Sequence, residues 1–466
     1  MDILQQMFQF SFKDLEIFLF KELRKAFGDI LKEMLLKEDK RIKESRDKKR
    51  FKVVNSRKVT VATLFGDVTF ERTYYKDCET GRYVHLLDEV LGLDGGISPC
   101  LAAVAAVEAV IGPSYRAACK SLEELYGHQV ISHETVRQLV LKTGKQIGSE
   151  EKRRRQKPEG KKKVPIIFIE ADGCFLHMQR QNKRNQELKV MIAHEGWENR
   201  TPGSKEYELL NKTYYASFDS EEFWDEASRQ LYCEYDIDDD TIVVINGDRA
   251  PWIREGVEYF PKAMYQVDRF HVKKDLKYFL GDTEELSACL SAFDASDVDL
   301  LIRSLASAVP KIKDKQRSKG AARLLEDIVK MPDSFRDYRE RLKDEDYYAS
   351  QIRGMGSAES NMKPIANRLK KRGQSWSPIG ATAMTQSLIK YWEGSLGRYA
   401  EHVSKMRDIL DSEKIQEKIR DASKDIVDKA LRVKEGRIPM KGAGTTQSGG
   451  LSSLFNRLDY ADWLIT

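Results

Sequence analysis

Between residues 164 and 268, short apolar segments follow one another in an order that limits the fold more than any other feature of the chain. VPIIFIEA (164–171), ELKVMIA (187–193) and KTYYAS (212–217) are brief and rich in β-branched or aromatic residues, which predicts three strands. From Asp219 a helix is expected, with Phe223, Ala227 and Leu231 on one face and Glu222 placed for a capping box. TIVVI (241–245) is a fully apolar run ended by the turn signal Asn246-Gly247, the pattern of a buried strand. A helix over Ala250–Tyr259 and a fifth strand over AMYQVD (263–268) complete the series.

The order β-β-β-α-β-α-β is that of a ribonuclease H-like core, an α/β fold with a mixed sheet and helices on both faces. Chemistry in such a core needs acids near the end of strand one, at the end of strand four and on a later helix. Strand one runs into Glu170, Ala171, Asp172 and Gly173, and strand four runs into Asp248. A helix expected from about Ser357, after GMGS (354–357), carries Glu359 in its first turn. Carboxylates suit Mg²⁺, a hard ion that prefers oxygen. Two such ions about 3.5–4 Å apart activate a water or a 3′-hydroxyl on one side of a phosphate and stabilise the departing oxygen on the other. Each acid also has a plainer reading: a turn residue for Asp172, a helix cap for Asp248, a first-turn acid favoured by the helix dipole for Glu359. Their joint placement favours the metal set.

Around this core the chain divides by pattern. Residues 1–50 read as helical, 51–97 as a β-hairpin region and 98–150 as a helix-turn-helix-like, DNA-binding region. In its second helix Val136, Leu139, Val140, Thr143 and Ile147 form the apolar face, leaving Arg137, Gln138 and Lys142 off it for DNA. A basic linker (151–163) leads to the catalytic core, 164–271 and 353–381, which is interrupted by a helical insertion at 272–352. C-terminal helices (382–433) and a flexible Gly/Ser/Thr-rich tail (434–466) follow. The net charge of +5 is small for 466 residues, so its distribution matters more. Basic clusters at 46–52, 152–163 and 368–372 favour contact with a polyanion. Six cysteines without a C-x-x-C pair argue against a zinc ribbon and a disulfide scaffold. No apolar run approaches the ~18 residues of a membrane span and no signal peptide is visible, so a cytoplasmic protein without membrane contact is expected.

EADG (170–173), NGDRAPWI (246–253), Asp268 and His271 of VDRFHVKKDL, and ESNMKPIANRLKKRGQSWSPIGA (359–381) together resemble the ISLre-type family of bacterial insertion-sequence transposases, relatives of the Mutator-like DDE transposases. The likeness runs over most of the chain. It implies that Asp172, Asp248 and Glu359 are the catalytic, metal-binding triad, loaded with two Mg²⁺ ions for which Mn²⁺ substitutes. Asp268 and His271 match a Cys/Asp-x-x-His motif beside the site, where Arg249 is placed to approach phosphate. Lys363, Arg368, Lys371 and Arg372 are expected to contact DNA backbone; Trp376 either stacks on an unpaired base or caps the core. The implied activity is cleavage of transposon ends followed by transfer of the 3′-hydroxyl strand to target DNA. The implied partners are double-stranded DNA, as terminal inverted repeats and target, and further copies of the chain in a homo-oligomer. Two alternatives stay open: a metal-dependent nuclease on the same core, and a DNA-binding regulator without catalysis.

Overall fold

The structure, a computed structural model, describes residues 12–93, 96–180, 184–201, 203–204, 206–281, 283–345 and 352–400, with 417, 419–422 and 424 beyond them. The expected tail (434–466) and most of the expected C-terminal helical region past 400 lie outside the described residues. The chain forms two compact units, residues 1–143 with 390–466, and residues 144–389.

The first unit holds the long helix α1 (Phe12–Ser45), the hairpin β1 (Phe51–Thr63) and β2 (Gly66–Asp77), and the short β3 (Tyr83–Val84). Thr63 pairs with Gly66, so the turn is Leu64-Phe65, just ahead of the expected Gly66-Asp67. Gly66 starts the return strand at φ +101°, a conformation that favours glycine. Helices α2 (Leu86–Leu91), α3 (Pro99–Ile111) and α4 (Tyr115–Tyr126) follow, and α5 (His133–Arg155) contains the boundary between the units. Ser98 caps α3 by accepting the Leu101 amide at 3.2 Å, with Pro99 at the first helical position. On α5 Val136, Val140, Thr143 and Ile147 are buried as expected, whereas Leu139 is half-buried. The helix runs on to Arg155, into what the sequence pattern assigns to a linker.

The second unit is built on five strands: β4 (Ile166–His177), β5 (Asn185–His194), β8 (Thr213–Ser217), β9 (Ile242–Gly247) and β10 (Ala263–Val267). They form one mixed sheet in the order β10-β9-β4-β5-β8. β4, β9 and β10 are parallel, and β5 is antiparallel to β4 and β8. The small hairpin β6 (Trp197–Asn199) and β7 (Tyr207–Leu209) between β5 and β8 has no counterpart in the sequence reading. Helix α6 (Phe223–Tyr232) precedes β9. The helix expected over 250–259 is the four-residue α7 (Pro251–Arg254) followed by a 3₁₀ turn, Glu255–Tyr259. Gly256 lies against the Trp224 ring, where a β-carbon would come within 2.5 Å of it.

Side chains alternate across a strand. Ile167, Ile169 and Ala171 of β4 pack with α6 and the helices after β10 in the larger core. Ile166 and Phe168 pack on the other face with Tyr338 and Leu342. After β10 come α8 (Arg269–Leu280), α9 (Glu284–Asp294), α10 (Val298–Ala308), α11 (Lys315–Lys330) and α12 (Tyr338–Asp344). This helical insertion is tied to the sheet: the Gln266 amide side chain donates to Ser334 O at 3.1 Å and accepts the Tyr338 N–H at 2.7 Å. Helix α13 (Ala358–Leu369) packs on β4 and β5, α14 (Pro378–Trp392) follows, and α15 (Leu396–Ala400) lies in the first unit. Among the described residues no helix is long and apolar enough to cross a membrane.

Candidate active site

The parallel pairing of β4 with β9 sets Ala171 opposite Gly247, so the next residues are Asp172, still in β4, and Asp248, just past the end of β9. Gly247 permits this approach, since a β-carbon there would meet Ala171 O and the Ile253 side chain at 2.8 Å. Asn246-Gly247, expected as a turn, is instead the end of β9, and its two residues hold the next strand's exit. The Asp268 N–H donates to Gly247 O at 2.7 Å, and the Asn246 side-chain amide donates to Asp268 Oδ2 at 3.2 Å. Asp248 and Asp268 therefore follow the ends of β9 and β10 at the level of Asp172 on the adjacent β4. Asp172 lies inside β4, not at its end, because the strand continues to His177.

Asp268 caps α8: its Oδ1 accepts the His271 N–H at 3.0 Å and lies 3.2 Å from His271 Nδ1. Asp248 is exposed and accepts the Ala250 N–H at 2.9 Å, a local turn bond; the cap position of α7 is Ala250, whose methyl group offers no acceptor. Burial pushes the Asp172 carboxyl above its ordinary value; the Gly173 N–H opposes that, while Asp248 and Asp268 add to it and His271 subtracts. At Asp268 burial acts upward too, but the bonds from the His271 ring and backbone outweigh it and hold this carboxyl low. The bond to Asp268 raises His271 against the pull of burial, with Asp172 and Asp248 adding to the rise. Three aspartates and one imidazole thus feel one another's charge.

Glu359 stands in the first turn of α13; its side chain lies outside the described residues. How that helix begins is described. Glu170, two residues before Asp172 and on the same sheet face, is 1% exposed. Its Oε1 accepts the Ser357 hydroxyl at 2.6 Å, the Ser357 N–H at 3.0 Å and the Gly356 N–H at 3.4 Å. The segment that delivers Glu359 is therefore fastened to the strand that carries Asp172. Behind Glu170 sits His194, fully buried, stacked on Phe168 with ring centroids 5.3 Å apart. Its Nδ1 accepts the Gly196 N–H at 3.2 Å and its Nε2 is 3.9 Å from Glu170 Oε1. Burial lowers this imidazole to about 4, so it is neutral near pH 7. Sequence reasoning names Glu170 within EADG but gives it no role, and it passes over His194; the two-residue offset of Glu170 from Asp172 is the one signal for the former.

The remaining candidates are dispersed. Arg249 is engaged by Asp275 at 2.6 Å and Asp327 at 3.1 Å, bonds that hold it to α8 and α11 and away from a phosphate. Trp376 is a core residue: 7% exposed, its N–H donates to Leu369 O at 2.8 Å, and its backbone pairs with His177 and Gln179. The base-stacking role does not fit that burial. Arg368, at 3% exposed, lies over the same ring and offers DNA no surface. Lys363, Lys371 and Arg372 are exposed, and the charges of Lys370 and Lys371 reach Cys174 on β4, whose thiol burial raises. On α5 Gln138 and Lys142 are exposed and Arg137 half-buried; Arg137 and Gln138 are both bound to Glu134, at 2.7 and 2.8 Å. The basic run 152–163 is docked rather than loose, with Arg155 on Glu226 at 2.5 Å and Lys163 on Asp238 at 2.8 Å. Among the described residues no group of three or more His, Cys, Asp and Glu side chains is arranged to hold a metal ion.

The model of the Uncharacterised protein family (UPF0236) matches residues 6–407. A UPF0236 protein of Caldanaerobacter subterraneus subsp. tengcongensis, whose name joins eleven loci of one genome, is 28% identical over 414 residues, covering 85% of this chain and 80% of its own. A second from that organism, under four loci, is 27% identical over 382 residues, 78% of this chain and 73% of its own. A UPF0236 protein in the vanSb 3′ region of Streptococcus gallolyticus is 27% identical over 344 residues, 71% of each chain. Among solved structures, a chain of the Drosophila P element transposase strand transfer complex aligns over 73% of this chain and 94% of its own, at 8% identity. Its TM-score of 0.23 is too low to carry an argument. With a family model spanning most of its length, this chain belongs to the uncharacterised protein family UPF0236.

Proposed function

We propose that this protein is a DNA transposase with a ribonuclease H-like core, of the ISLre-type kind its motifs resemble. It would cleave the ends of its element and join the freed 3′-hydroxyl to target DNA by in-line phosphoryl transfer. The observation that carries this reading is the parallel register that pairs Ala171 with Gly247, the residues immediately before Asp172 and Asp248. The strand order β8-β5-β4-β9-β10, three antiparallel strands and then two parallel to the first, supports the same core. A relative named for eleven loci in one genome accords with a mobile element.

Asp172, Asp248 and Glu359 would hold two divalent ions, Mg²⁺ or Mn²⁺. Carboxylate oxygens suit such hard ions, and the upward push on Asp172, from burial first and then from the charges of Asp248 and Asp268, is one that a cation would oppose, although the described side chains are not closed into a metal-binding group. When bound, such ions supply activation of the attacking hydroxyl and stabilisation of the departing oxygen. The chain's own residues do the rest. Glu170 holds the start of the Glu359 helix against β4, and Asp268 fixes the imidazole of His271 at the rim of the acid group. Lys371 and Arg372 present positive charge at the end of α13, where phosphates would be positioned without being read in sequence.

The test uses purified protein, Mg²⁺ and a plasmid carrying the reading frame with its own flanking DNA. Cleavage at both ends and joining to a second plasmid is the expected result. Asp172→Asn, Asp248→Asn and Glu359→Gln should each abolish cleavage while DNA binding persists. Normal cleavage by any one of them removes that residue from the triad, and cleavage without joining makes the protein a nuclease.

A further inference from the structure

Helix α8 begins at Asp268, within the acid group, and runs outward for twelve residues. Val272, Leu276 and Leu280 are its buried side. At 100° per residue Phe270, Lys274, Lys277 and Tyr278 fall within one arc of about 100° on the opposite side. All four are exposed, and the two aromatic rings are 58% and 59% exposed, unusual for residues of that size. Lys274 and Lys277 have no ion pair among the described residues. The helix's one acid, Asp275, is turned aside to Arg249 at 2.6 Å. Arg317 of α11 adds a further cation, 5.8 Å from the Tyr278 ring centroid. The stripe is thus aromatic, basic and free of acid, and it starts where the acids end.

We infer that this face of α8 is a track for unpaired DNA leaving the cleavage site, with Phe270 and Tyr278 as stacking platforms and Lys274 and Lys277 on the phosphates. Single-stranded binding uses this pairing of aromatic faces with a positive path, because every base has a π-face and every linkage a charge. The eight helical steps from Phe270 to Tyr278 span about 12 Å, room for some three stacked nucleotides at about 3.4 Å each. A duplex would meet the lysines but leave both rings without a base to cover them, so the exposed aromatics select the single strand. The inference rests on the proposed DNA-processing role, and the experiment separates the two.

The full-length protein is titrated, without metal, against a fluorescent single-stranded oligonucleotide and its blunt duplex by anisotropy. The parent is expected to bind both. Phe270→Ala with Tyr278→Ala should weaken single-strand binding by at least about tenfold and change duplex binding less than about threefold. Lys274→Gln with Lys277→Gln should lower the slope of log K against log salt for the single strand by about 1.4. Equal single-strand affinity in parent and aromatic variant overturns the track. So does a parent that binds duplex alone, an outcome that leaves the transposase reading standing. If the parent binds neither form, both readings fall. Variants that lose self-association on light scattering yet keep single-strand binding mark the stripe as a contact between copies and overturn it as well. Thermal melting matched to the parent shows that each variant is folded.

Discussion

Replacing Glu170 tests whether the Glu359 segment is held by this one carboxyl. Glu170→Ala removes the acceptor for two well-formed bonds, at 2.6 and 3.0 Å, and one long one at 3.4 Å. Leaving a buried donor without a partner costs about 1–3 kcal/mol, so the two Ser357 donors together set a range of roughly 2–6 kcal/mol. The segment recovers part of this by turning those donors to water, which leaves a docking loss of about 3 kcal/mol, or ~100-fold in the open population. Native-state hydrogen exchange of the intact protein reads this directly: protection of the Ser357 amide should fall by about 100-fold, while peptides of β9 keep theirs. Ser357→Ala removes only the hydroxyl bond, about 1 kcal/mol, and should cost roughly fivefold. Glu170→Gln keeps an oxygen acceptor and should lose less than tenfold. Protection in Glu170→Ala within threefold of the parent, or an equal loss throughout the sheet, would refute the reasoning.

Four further outcomes follow, three from the same site and one from the core. His194 is lowered by burial to about 4, so its contribution is complete above its ordinary value near 6.5 and is lost as pH falls toward 4, a change on the order of 3 kcal/mol. His194→Phe, which keeps the stack on Phe168, should flatten the acid side of the Tm–pH curve; an unchanged slope denies the buried neutral ring. Asp172 is raised mainly by burial, and a carboxyl so shifted weakens the folded state as pH climbs through its displaced titration. Asp172→Asn should therefore melt higher than the parent at pH 7 without metal and lose that advantage in acid; a lower Tm at pH 7 contradicts it. His271 is raised by Asp268, so the stability from this pair is present below pH 6.5 and fades as pH rises through the elevated value. In Asp268→Asn the imidazole should titrate lower by NMR, and an unmoved titration would separate the two groups. Trp376→Ala should destabilise the protein by about 3–5 kcal/mol in denaturant, the cost of emptying a buried aromatic site; a neutral change would return the ring to the surface.

The sheet was legible where strands are buried on both faces, because their runs are continuously apolar: the starts of β4 and β9 fall within two residues of expectation. It was less legible where polar residues complete a strand. The second half of β4, Asp172–His177, alternates in burial but not in residue type, since Cys174 and Leu176 are buried while the apolar Phe175 between them is exposed, and Asn246-Gly247 reads locally as a turn although Gly247 is required for close packing on Ala171. Asp248 could be found from the end of an apolar run, and Asp172 from the end of the apolar half of β4, although that strand continues to His177. The fate of Arg249 could not, since its partners are 26 and 78 residues away. Nor could that of Trp376, whose N–H acceptor is a main-chain carbonyl that only the folded α13 presents.

The inserted helices α9–α12 leave and rejoin the sheet at fixed points. Gln266 grips the backbone at Ser334 and Tyr338, the Tyr338 ring meets Phe168 edge-on at 5.9 Å, and its hydroxyl donates to Arg353 O. Growth or trimming of the loops between 281 and 331 would be absorbed before that clasp and would never reach the stretch leading to residue 359. The placement of the 359 segment against β4 is thereby uncoupled from its distance along the polypeptide, so inserts of very different length are compatible with one arrangement of Glu170 and the start of α13.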